Sequence, residues 1–360
     1  MKVLHVINTL ETGGAERLLV DSLPKYKSIG VDVDLLCLTG GETMFFQELF
    51  SSFTGKITFL GVGSVYNPLY ILKLRSYLRN YDLVHVHLFP SLYWVALAKF
   101  IFRLKVTLLF TEHSTNNRRI DHPFFNIVDR FIYGFYTRVT AITPQVKIKL
   151  MEKLNLKDQD CEVIYNGINL EKVTQAEAYP KSNFFCEREA FILIQVSRFQ
   201  GSKDQQTLIR SLDSLPPYVK LILVGEGEAK GRCIALVEAL GLSERVVFLG
   251  LRNDIPSLLK TADVVIQSSN WEGFGLAAIE GMAAGRPVVA SGVPGLQEII
   301  EGAGLIFRKG DEHDLSLRIG ELIGSPSLYK LIAEKCRLKA QNYSIDLMVK
   351  QFKKLYEQVH

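Results

Sequence analysis

Short apolar runs alternate with longer segments of helical periodicity along most of the chain. The runs are rich in Val, Ile and Leu, as expected for parallel strands that helices cover on both faces. The pattern predicts an α/β fold. The strands predicted in the first half are Val3–Ile7, Val31–Leu38, Ile57–Leu60, Leu83–His87, Thr107–Thr111 and Arg138–Ile142. Those of the second half are Phe191–Val196, Lys220–Val224, Val246–Leu249, Val264–Gln267, Pro287–Ala290 and Leu305–Phe307.

The two series of strands are separated by a pause in this rhythm. The stretch Asn166–Glu189 contains Gly167 and Pro180 and has little apolar periodicity, so it predicts a linker. Two Rossmann-like domains joined by a hinge follow. Ligands of open parallel sheets bind at the carboxyl ends of the strands, so we expect the site in a cleft between the domains. The last segment, Ser344–His360, has helical apolar spacing and predicts a closing amphipathic helix.

Composition excludes several classes of protein. The 360 residues are 48% apolar and 22% charged, which is typical of a soluble globular chain and not of a disordered one. A net charge of +4 is too small for a dedicated nucleic-acid binder. Five scattered cysteines without a C-x-x-C pair, and no histidine cluster at zinc spacing, indicate reduced thiols in a cytoplasmic protein without a metal. The stretch Leu92–Phe110 is interrupted by cations, and the N-terminus opens in a strand pattern, so neither a membrane span nor an export leader is expected.

Two glycine-containing turns are candidate phosphate sites. Gly13 and Gly14 follow the first strand and open a helix, although a plain tight turn would use the same residues. In Glu272–Glu280, Gly275 and Leu276 begin a helix whose N–H groups could face a phosphate. Glu272 and Glu280 are suited to binding sugar hydroxyls, because a carboxylate accepts charge-assisted hydrogen bonds.

Cations and a histidine complete the candidate set. Arg198 and Lys203 follow the first strand of the second half and could neutralise a diphosphate, although surface cations would look the same. His113 lies just past a strand end and could bond a hydroxyl or share a proton. His5 and His85 lie inside strands and are interpreted as core residues. The glycines of Gly225–Gly231 miss the dinucleotide spacing, so a nicotinamide or flavin cofactor is not expected.

These motifs together resemble family 4 of the retaining glycosyltransferases, also called the group 1 glycosyl transferases. The resemblance covers nearly the entire chain in the right order. It is carried by GGAE (13–16), VHVH (84–87), TEH (111–113), VIYNGI (163–168), VSRF (196–199) with a following KD, LVGEG (223–227), FLG (248–250), EGFGLAAIE (272–280) and EGMAAGRPVVAS (280–291). Family membership implies the GT-B fold, in which two Rossmann-like domains face each other across a cleft. It also implies a nucleotide-sugar donor and no cofactor or essential metal.

The resemblance implies a role for each candidate residue. Arg198 and Lys203 would bind the donor diphosphate and stabilise the leaving nucleotide, and Gly13 and Gly14 would close over the same phosphates. Glu280 would hold the ribose, while Glu272 and His113 would contact the transferred sugar. The final helix of the family returns to the first domain. The implied domains are therefore 1–170 with 345–360, on the acceptor side, and 171–344, which binds the nucleotide sugar.

The sequence departs from the family pattern at three positions. Asn169 stands where Asp is frequent and Gly281 where Ala is frequent, and Pro24 is expected to interrupt the first helix. Donor binding should be unaffected by these differences.

The acceptor is indicated only by charge. Residues 99–157 contain eleven cations and four acids among aromatic and aliphatic residues. This composition suits contact with an anionic membrane and a lipid-linked saccharide acceptor at the cytoplasmic face, in polysaccharide or glycolipid assembly; ordinary solvated helices would also fit. We expect a UDP-hexose donor. The alternatives are a nucleotide-sugar epimerase, a sugar phosphorylase or a non-catalytic partner subunit on the same fold.

Overall fold

The computed structural model describes residues 1–11, 13–114, 121–187 and 189–360. The chain forms two compact units. Unit 1 consists of Met1–Gly167 and Ile345–His360, and unit 2 of Ile168–Ser344. The boundary between them therefore lies three residues before the one expected from the sequence.

Unit 1 is built on a seven-stranded sheet in which all paired strands are parallel, in the order β3-β2-β1-β4-β5-β6-β7. Its strands are β1 (Lys2–Ile7), β2 (Asp32–Thr39), β3 (Ile57–Gly61), β4 (Leu83–His87), β5 (Thr107–Glu112), β6 (Arg138–Ala141) and β7 (Cys161–Val163). Its described helices are Gly14–Ser28, Met44–Ser52, Tyr70–Leu78, Ser91–Ile101, Pro123–Tyr133, Pro144–Leu154 and Ile345–Val359, with a 3₁₀ turn at Asp158–Asp160.

Unit 2 has a six-stranded parallel sheet in the order β10-β9-β8-β11-β12-β13. Its strands are β8 (Phe191–Val196), β9 (Val219–Val224), β10 (Val246–Gly250), β11 (Val264–Gln267), β12 (Val288–Ser291) and β13 (Leu305–Phe307). Its helices are Leu170–Gln175, Gln205–Ser211, Lys230–Ala239, Ile255–Thr261, Leu276–Ala283, Leu296–Ile300, Glu312–Gly324 and Pro326–Ala340, with 3₁₀ turns at Lys181–Asn183, Leu212–Ser214 and Gln341–Tyr343. The predicted α/β class with two Rossmann-like domains is confirmed.

Every predicted strand is present, with bounds within one residue of those predicted. The sequence analysis missed β7, a three-residue edge strand. One of its residues, Glu162, is exposed, so the run is too short to produce an apolar period.

The chain passes from unit 1 to unit 2 inside the predicted linker Asn166–Glu189, but the prediction that the rest of this segment is a linker is wrong. Its described residues from Ile168 onward belong to unit 2 and include the helix Leu170–Gln175. Val173 and Phe185 are buried, and Lys181 pairs with Asp263 at 2.6 Å. A few widely spaced anchors hold this segment, which a periodicity argument cannot detect.

The helix Gly14–Ser28 continues through Pro24, so the expected interruption is also wrong. Leu23 and Tyr26 on either side of the proline are fully buried. Burial of such side chains contributes about 1.5–3 kcal/mol each, which offsets the ~3 kcal/mol cost of an internal proline. The C-terminal helix Ile345–Val359 packs into the same core through Met348 and Phe352.

The other two departures from the family pattern have local explanations. Asn169 caps the helix Leu170–Gln175 by accepting a hydrogen bond from the Lys172 N–H at 3.0 Å, as an Asp would. At Gly281, an added Cβ would lie 2.8 Å from both methyl groups of Val265. The close packing of this helix on β11 therefore requires glycine here.

Candidate active site

The loop after β8 carries Arg198 and Lys203 at the carboxyl end of the sheet in unit 2. Buried Gln205 donates to the Arg198 carbonyl at 2.9 Å, and buried Gln195 donates to the Lys203 carbonyl at 3.0 Å. The hydroxyl of Ser268, also buried, bonds the Gln195 side-chain oxygen at 2.9 Å. These amides fix the backbone of the loop while the Arg198 side chain remains exposed. Sequence analysis missed them, although polar residues at strand ends were a visible signal.

Lys203 and Glu272, predicted from separate motifs, form an ion pair. Their side chains are 17% and 15% exposed, so the pair is largely shielded from water. Ser269 donates a further hydrogen bond to the same carboxylate oxygen at 3.2 Å. The structure therefore brings a cation and a carboxylate together, and the cation lies on the same loop as the exposed Arg198.

Two glycines bring the Glu272 loop close to its neighbours. Gly275 has φ +84°, and an added Cβ would lie 2.5 Å from Leu296 Cδ2. Gly295 has φ +86°, and an added Cβ would lie 2.3 Å from the Glu272 carbonyl oxygen. The helix Leu276–Ala283 thus begins after a left-handed Gly275 that has no side chain to cap it, which leaves its first N–H groups available to an anion.

Glu280 lies on this same helix, one turn after Leu276, and is half-buried. Its neighbours Ile279 and Met282 are fully buried, which fixes the face on which the carboxylate lies. Leu276 and Glu280 therefore share one side of the helix.

The Gly225 and Gly227 pair positions the Arg198 loop. Added Cβ atoms would lie 2.2 Å from the Ser197 carbonyl oxygen and 2.3 Å from that of Phe199. The Phe199 N–H donates to the Glu226 carbonyl at 2.9 Å. These glycines allow two strand-end loops to pack on each other.

In unit 1, the predicted residues follow β1 and β5. Gly13 is extended, with φ −172°, and precedes the helix that begins at Gly14, with no side-chain cap. His113 follows the last residue of β5. The preceding Thr12 lies outside the described residues.

His113 belongs to a buried histidine cluster that sequence spacing did not reveal. His87 Nδ1 lies 3.1 Å from His113 Nε2, and His87 Nε2 lies 3.1 Å from His5 Nδ1. Burial lowers the pKa of His113 to about 4 and that of His5 to about 3. His5 and His85 are direct register partners on β1 and β4, so the cluster could be recognised only once the order of the strands was known.

The ligand nitrogens of His5, His85 and His87 lie within 4.8 Å of one another. His85 uses Nδ1 for the Tyr356 hydroxyl at 2.7 Å and Nε2 for the Thr111 hydroxyl at 2.6 Å. Because the nitrogens of these rings already have hydrogen-bond partners within the protein, the arrangement is that of a hydrogen-bonded chain and not of a preformed ion site.

The basic region includes an exposed apolar face. In the helix Pro123–Tyr133, the apolar side chains of Phe124, Ile127 and Phe131 are exposed at i, i+3 and i+7; we call these three the apolar stripe. Some nearby cations are paired: Lys149 and Lys153 with Asp121, and Lys147 with Asp158. Arg118 and Arg119 lie outside the described residues. Among the helices described, none is both long and apolar enough to cross a membrane.

Two family models match successive parts of the chain. "Glycosyltransferase Family 4" matches residues 12–172, and "Glycosyl transferases group 1" matches residues 177–339.

Relatives and solved structures share this similarity over most of their length. The N-acetylgalactosamine-N,N'-diacetylbacillosaminyl-diphospho-undecaprenol 4-alpha-N-acetylgalactosaminyltransferase of Campylobacter jejuni is 25% identical, over 94% of each chain. The N-acetyl-alpha-D-glucosaminyl L-malate synthase of Bacillus anthracis is 26% identical, over 81% of this chain and 80% of the relative. Among solved structures, Anabaena HepE in complex with UDP-glucose has a TM-score of 0.87 and 25% identity, covering 99% of this chain and 100% of that one.

Proposed function

Because the chain belongs to the glycosyltransferases, with a Family 4 region followed by a group 1 region, we propose that it transfers a hexose from a UDP-sugar to a saccharide acceptor with retention of configuration. The observation that carries this proposal is the shielded Lys203–Glu272 pair beside the exposed Arg198. It offers cations for a diphosphate next to a carboxylate for a sugar. The UDP-glucose complex of HepE supports the choice of nucleotide.

Charge develops on the nucleotide diphosphate as the sugar departs. Arg198 can bind it with a planar fork, and Lys203 adds a point charge. We assign the N–H groups at Gly275 and Leu276 and those at Gly13 and Gly14 to phosphate oxygens, and Glu280 to the ribose hydroxyls. These cations and N–H groups supply the neutralisation, so we propose transfer without a metal or cofactor.

Glu272 and His113 are assigned to the transferred sugar. A carboxylate accepts from hydroxyl groups, and Glu272 is held by Lys203 and Ser269. On this assignment, diphosphate and sugar share the Lys203–Glu272 pair, which gives the pair a direct part in aligning the donor.

A thermal-shift panel tests the donor assignment. UDP- and GDP-sugars are added in excess EDTA, and we expect UDP-sugars to raise the melting temperature, since a ligand that binds only the folded state stabilises it. The Arg198→Gln variant should lose this shift, whereas Arg210→Gln, an exposed cation on the next helix, should keep it. No shift with any nucleotide sugar, or equal shifts in both variants, would contradict the assignment.

Product analysis separates transfer from isomerisation. NMR of a reaction with acceptor should reveal a new glycosidic bond whose anomeric configuration is that of the donor. Inversion would refute retention, and an acceptor-independent change in the donor sugar would support the epimerase instead.

For the acceptor, we propose a lipid-linked saccharide approached at the cytoplasmic membrane face. The apolar stripe and the exposed Arg103, Lys105 and Arg130 support peripheral contact with anionic lipid. The Campylobacter jejuni relative names a diphospho-undecaprenol acceptor, whereas the Bacillus anthracis relative names L-malate, so the acceptor needs its own test.

Flotation with phosphatidylglycerol vesicles at low salt provides that test. The wild-type chain should float, and the Phe124→Ser/Phe131→Ser variant should remain at the bottom. Leu338→Ser, which removes an equally exposed apolar side chain from unit 2, is the matched control and should float. Wild-type protein that does not float would contradict membrane contact.

A further inference from the structure

A continuous chain of hydrogen bonds crosses the core of unit 1 and ends at His113. From the far end, Thr140 Oγ1 lies 2.6 Å from Thr111 Oγ1, which lies 2.6 Å from His85 Nε2. His85 Nδ1 lies 2.7 Å from the Tyr356 hydroxyl.

The chain continues from Tyr356 through two more rings. The Tyr356 hydroxyl lies 3.4 Å from His5 Nε2. His5 Nδ1 then meets His87 Nε2 at 3.1 Å, and His87 Nδ1 meets His113 Nε2 at 3.1 Å. Apart from His113, the rings and hydroxyls of the chain are buried.

Each ring in this chain has one donor nitrogen and one acceptor nitrogen. Burial lowers the pKa of His85 and His87 well below the ordinary value, as it does for His5 and His113, so all four imidazoles are neutral at pH 7. A neutral imidazole that donates through one nitrogen must accept through the other. Along an unbranched series of such groups the protons can run in only two directions, and one end selects between them. The Tyr356 hydroxyl is a branch point, because it also hydrogen-bonds to Tyr26.

A backbone carbonyl makes that selection. Thr140 Oγ1 lies 3.4 Å from the Phe110 carbonyl oxygen, which can only accept. With the Thr140 proton directed there, Thr111 donates to Thr140 and His85 Nε2–H donates to Thr111. His85 Nδ1 is left as a lone pair and accepts from Tyr356.

The same direction continues to the other end. Because the single Tyr356 proton is directed to His85, the Tyr356 oxygen can only accept from its other two partners, Tyr26 and His5 Nε2–H. His5 Nδ1 then accepts from His87 Nε2–H, and His87 Nδ1 accepts from His113 Nε2–H. The remaining nitrogen, His113 Nδ1, then carries a lone pair. This atom is buried, and no hydrogen-bond partner for it exists among the residues that the structure describes.

We propose that Tyr356, His5 and His87 are positioning residues that hold His113 in the tautomer protonated at Nε2, so that Nδ1 offers an acceptor to a substrate hydroxyl. A buried acceptor without a partner is costly, and a ligand hydroxyl bonded to it would recover that cost. A carbonyl or phosphate oxygen cannot donate and would be disfavoured there. The assignment of the hydroxyl to a sugar rests on the proposed function, whereas the tautomer does not.

Nitrogen-15 NMR of histidine-labelled protein reads the tautomer without any substrate. In the wild-type protein, we expect an unprotonated Nδ1 and a protonated Nε2 on His113; a proton on Nδ1 would overturn the proposal. This result does not depend on whether the protein transfers a sugar. A failure of the proposed function can therefore be told apart from a failure of the proposed hydrogen-bond arrangement.

Two variants test whether Thr140 and Tyr356 set the tautomer of His113. Thr140→Val removes the carbonyl anchor, and Tyr356→Phe cuts the chain; each should give a mixture of His113 tautomers. The matched controls are Thr39→Val and Tyr70→Phe, buried positions outside the chain, of which the Tyr70 hydroxyl has no partner in the described structure. They should leave the His113 spectrum unchanged. An unchanged His113 tautomer in both chain variants would overturn the proposal.

Kinetics give a second readout of positioning. Tyr356→Phe should raise KM for the donor about two- to tenfold, the worth of one neutral hydrogen bond, while Tyr70→Phe should not. Equal KM values for the two variants would contradict a role in positioning.

Discussion

Replacing Lys203 with Met tests the charged centre of the site in two separable ways. The substitution keeps an unbranched side chain but leaves the Glu272 carboxylate, 15% exposed, without its cation. Glu272 keeps its hydrogen bond from Ser269, so the loss is that of one hydrogen bond to a charged group, about 1.5–3 kcal/mol. The expected fall in melting temperature is about 2–4 °C per kcal/mol for a domain of this size.

The affinity for the nucleotide donor should fall as well. A charge-assisted hydrogen bond to the diphosphate contributes about 1.5–3 kcal/mol, which corresponds to roughly 10- to 100-fold weaker binding of UDP. Isothermal titration calorimetry measures this change, and denaturant unfolding measures the stability.

Lys230→Met is the matched control. Lys230 lies in the same unit and forms an i,i+4 ion pair with Glu226, and the Glu226 side chain is 46% exposed. Loss of this exposed pair should cost about 0.5 kcal/mol and leave UDP binding unchanged. If the Lys203→Met and Lys230→Met variants match each other in both stability and UDP affinity, Lys203 is not part of the donor site.

Three further predictions concern other features of the structure. Gly281→Ala should destabilise unit 2 by about 1–3 kcal/mol through overpacking on Val265, and Val265→Ala should rescue it. Gly320→Ala, at an exposed helix position with open space around it, should be neutral or stabilising. A different order of stabilities in calorimetric unfolding would contradict close packing at Gly281. Glu272→Gln should bind UDP about three- to tenfold more tightly, because no carboxylate competes for Lys203, yet lose sugar transfer; weaker UDP binding would count against the shared pair. Unit 1 should lose stability as pH falls from 6.5 toward 4, because the pKa values of its buried histidines are lower in the folded than in the unfolded chain, which therefore binds more protons. Each histidine contributes at most ~1.4 kcal/mol per pH unit. An unfolding free energy that stays constant between pH 7 and 5 would contradict this.

The strands were predictable because their runs of Val, Ile and Leu are long, buried and bounded by turns. The short β7 and the helix Leu170–Gln175 were missed because each buries too few residues to produce a period. The helix through Pro24 was not predictable from local propensity, because the burial of Leu23 and Tyr26 that stabilises it depends on tertiary packing.

The candidate site was predictable residue by residue but not as an arrangement. Glu272 and Lys203 were both identified, yet their pairing depends on the order of β8 and β11 in the sheet. The hydrogen-bonded histidines could not be predicted as a group, because their contacts require β1, β4 and β5 to be neighbours. They also require Tyr356, near the C-terminus, to lie between the rings of His85 and His5. Single-residue chemistry can be inferred from sequence, whereas such contacts require the topology.

Release of UDP from UDP-sugars, measured in EDTA with a diphospho-undecaprenol-linked saccharide as acceptor, shows whether the chain transfers a sugar from a nucleotide donor held by the Arg198 and Lys203 loop. We predict acceptor-dependent release by the wild-type protein that is lost in folded Lys203→Ala and Glu280→Ala variants. Normal turnover in both variants, or release by the wild-type protein that is independent of any acceptor, would contradict sugar transfer at this site.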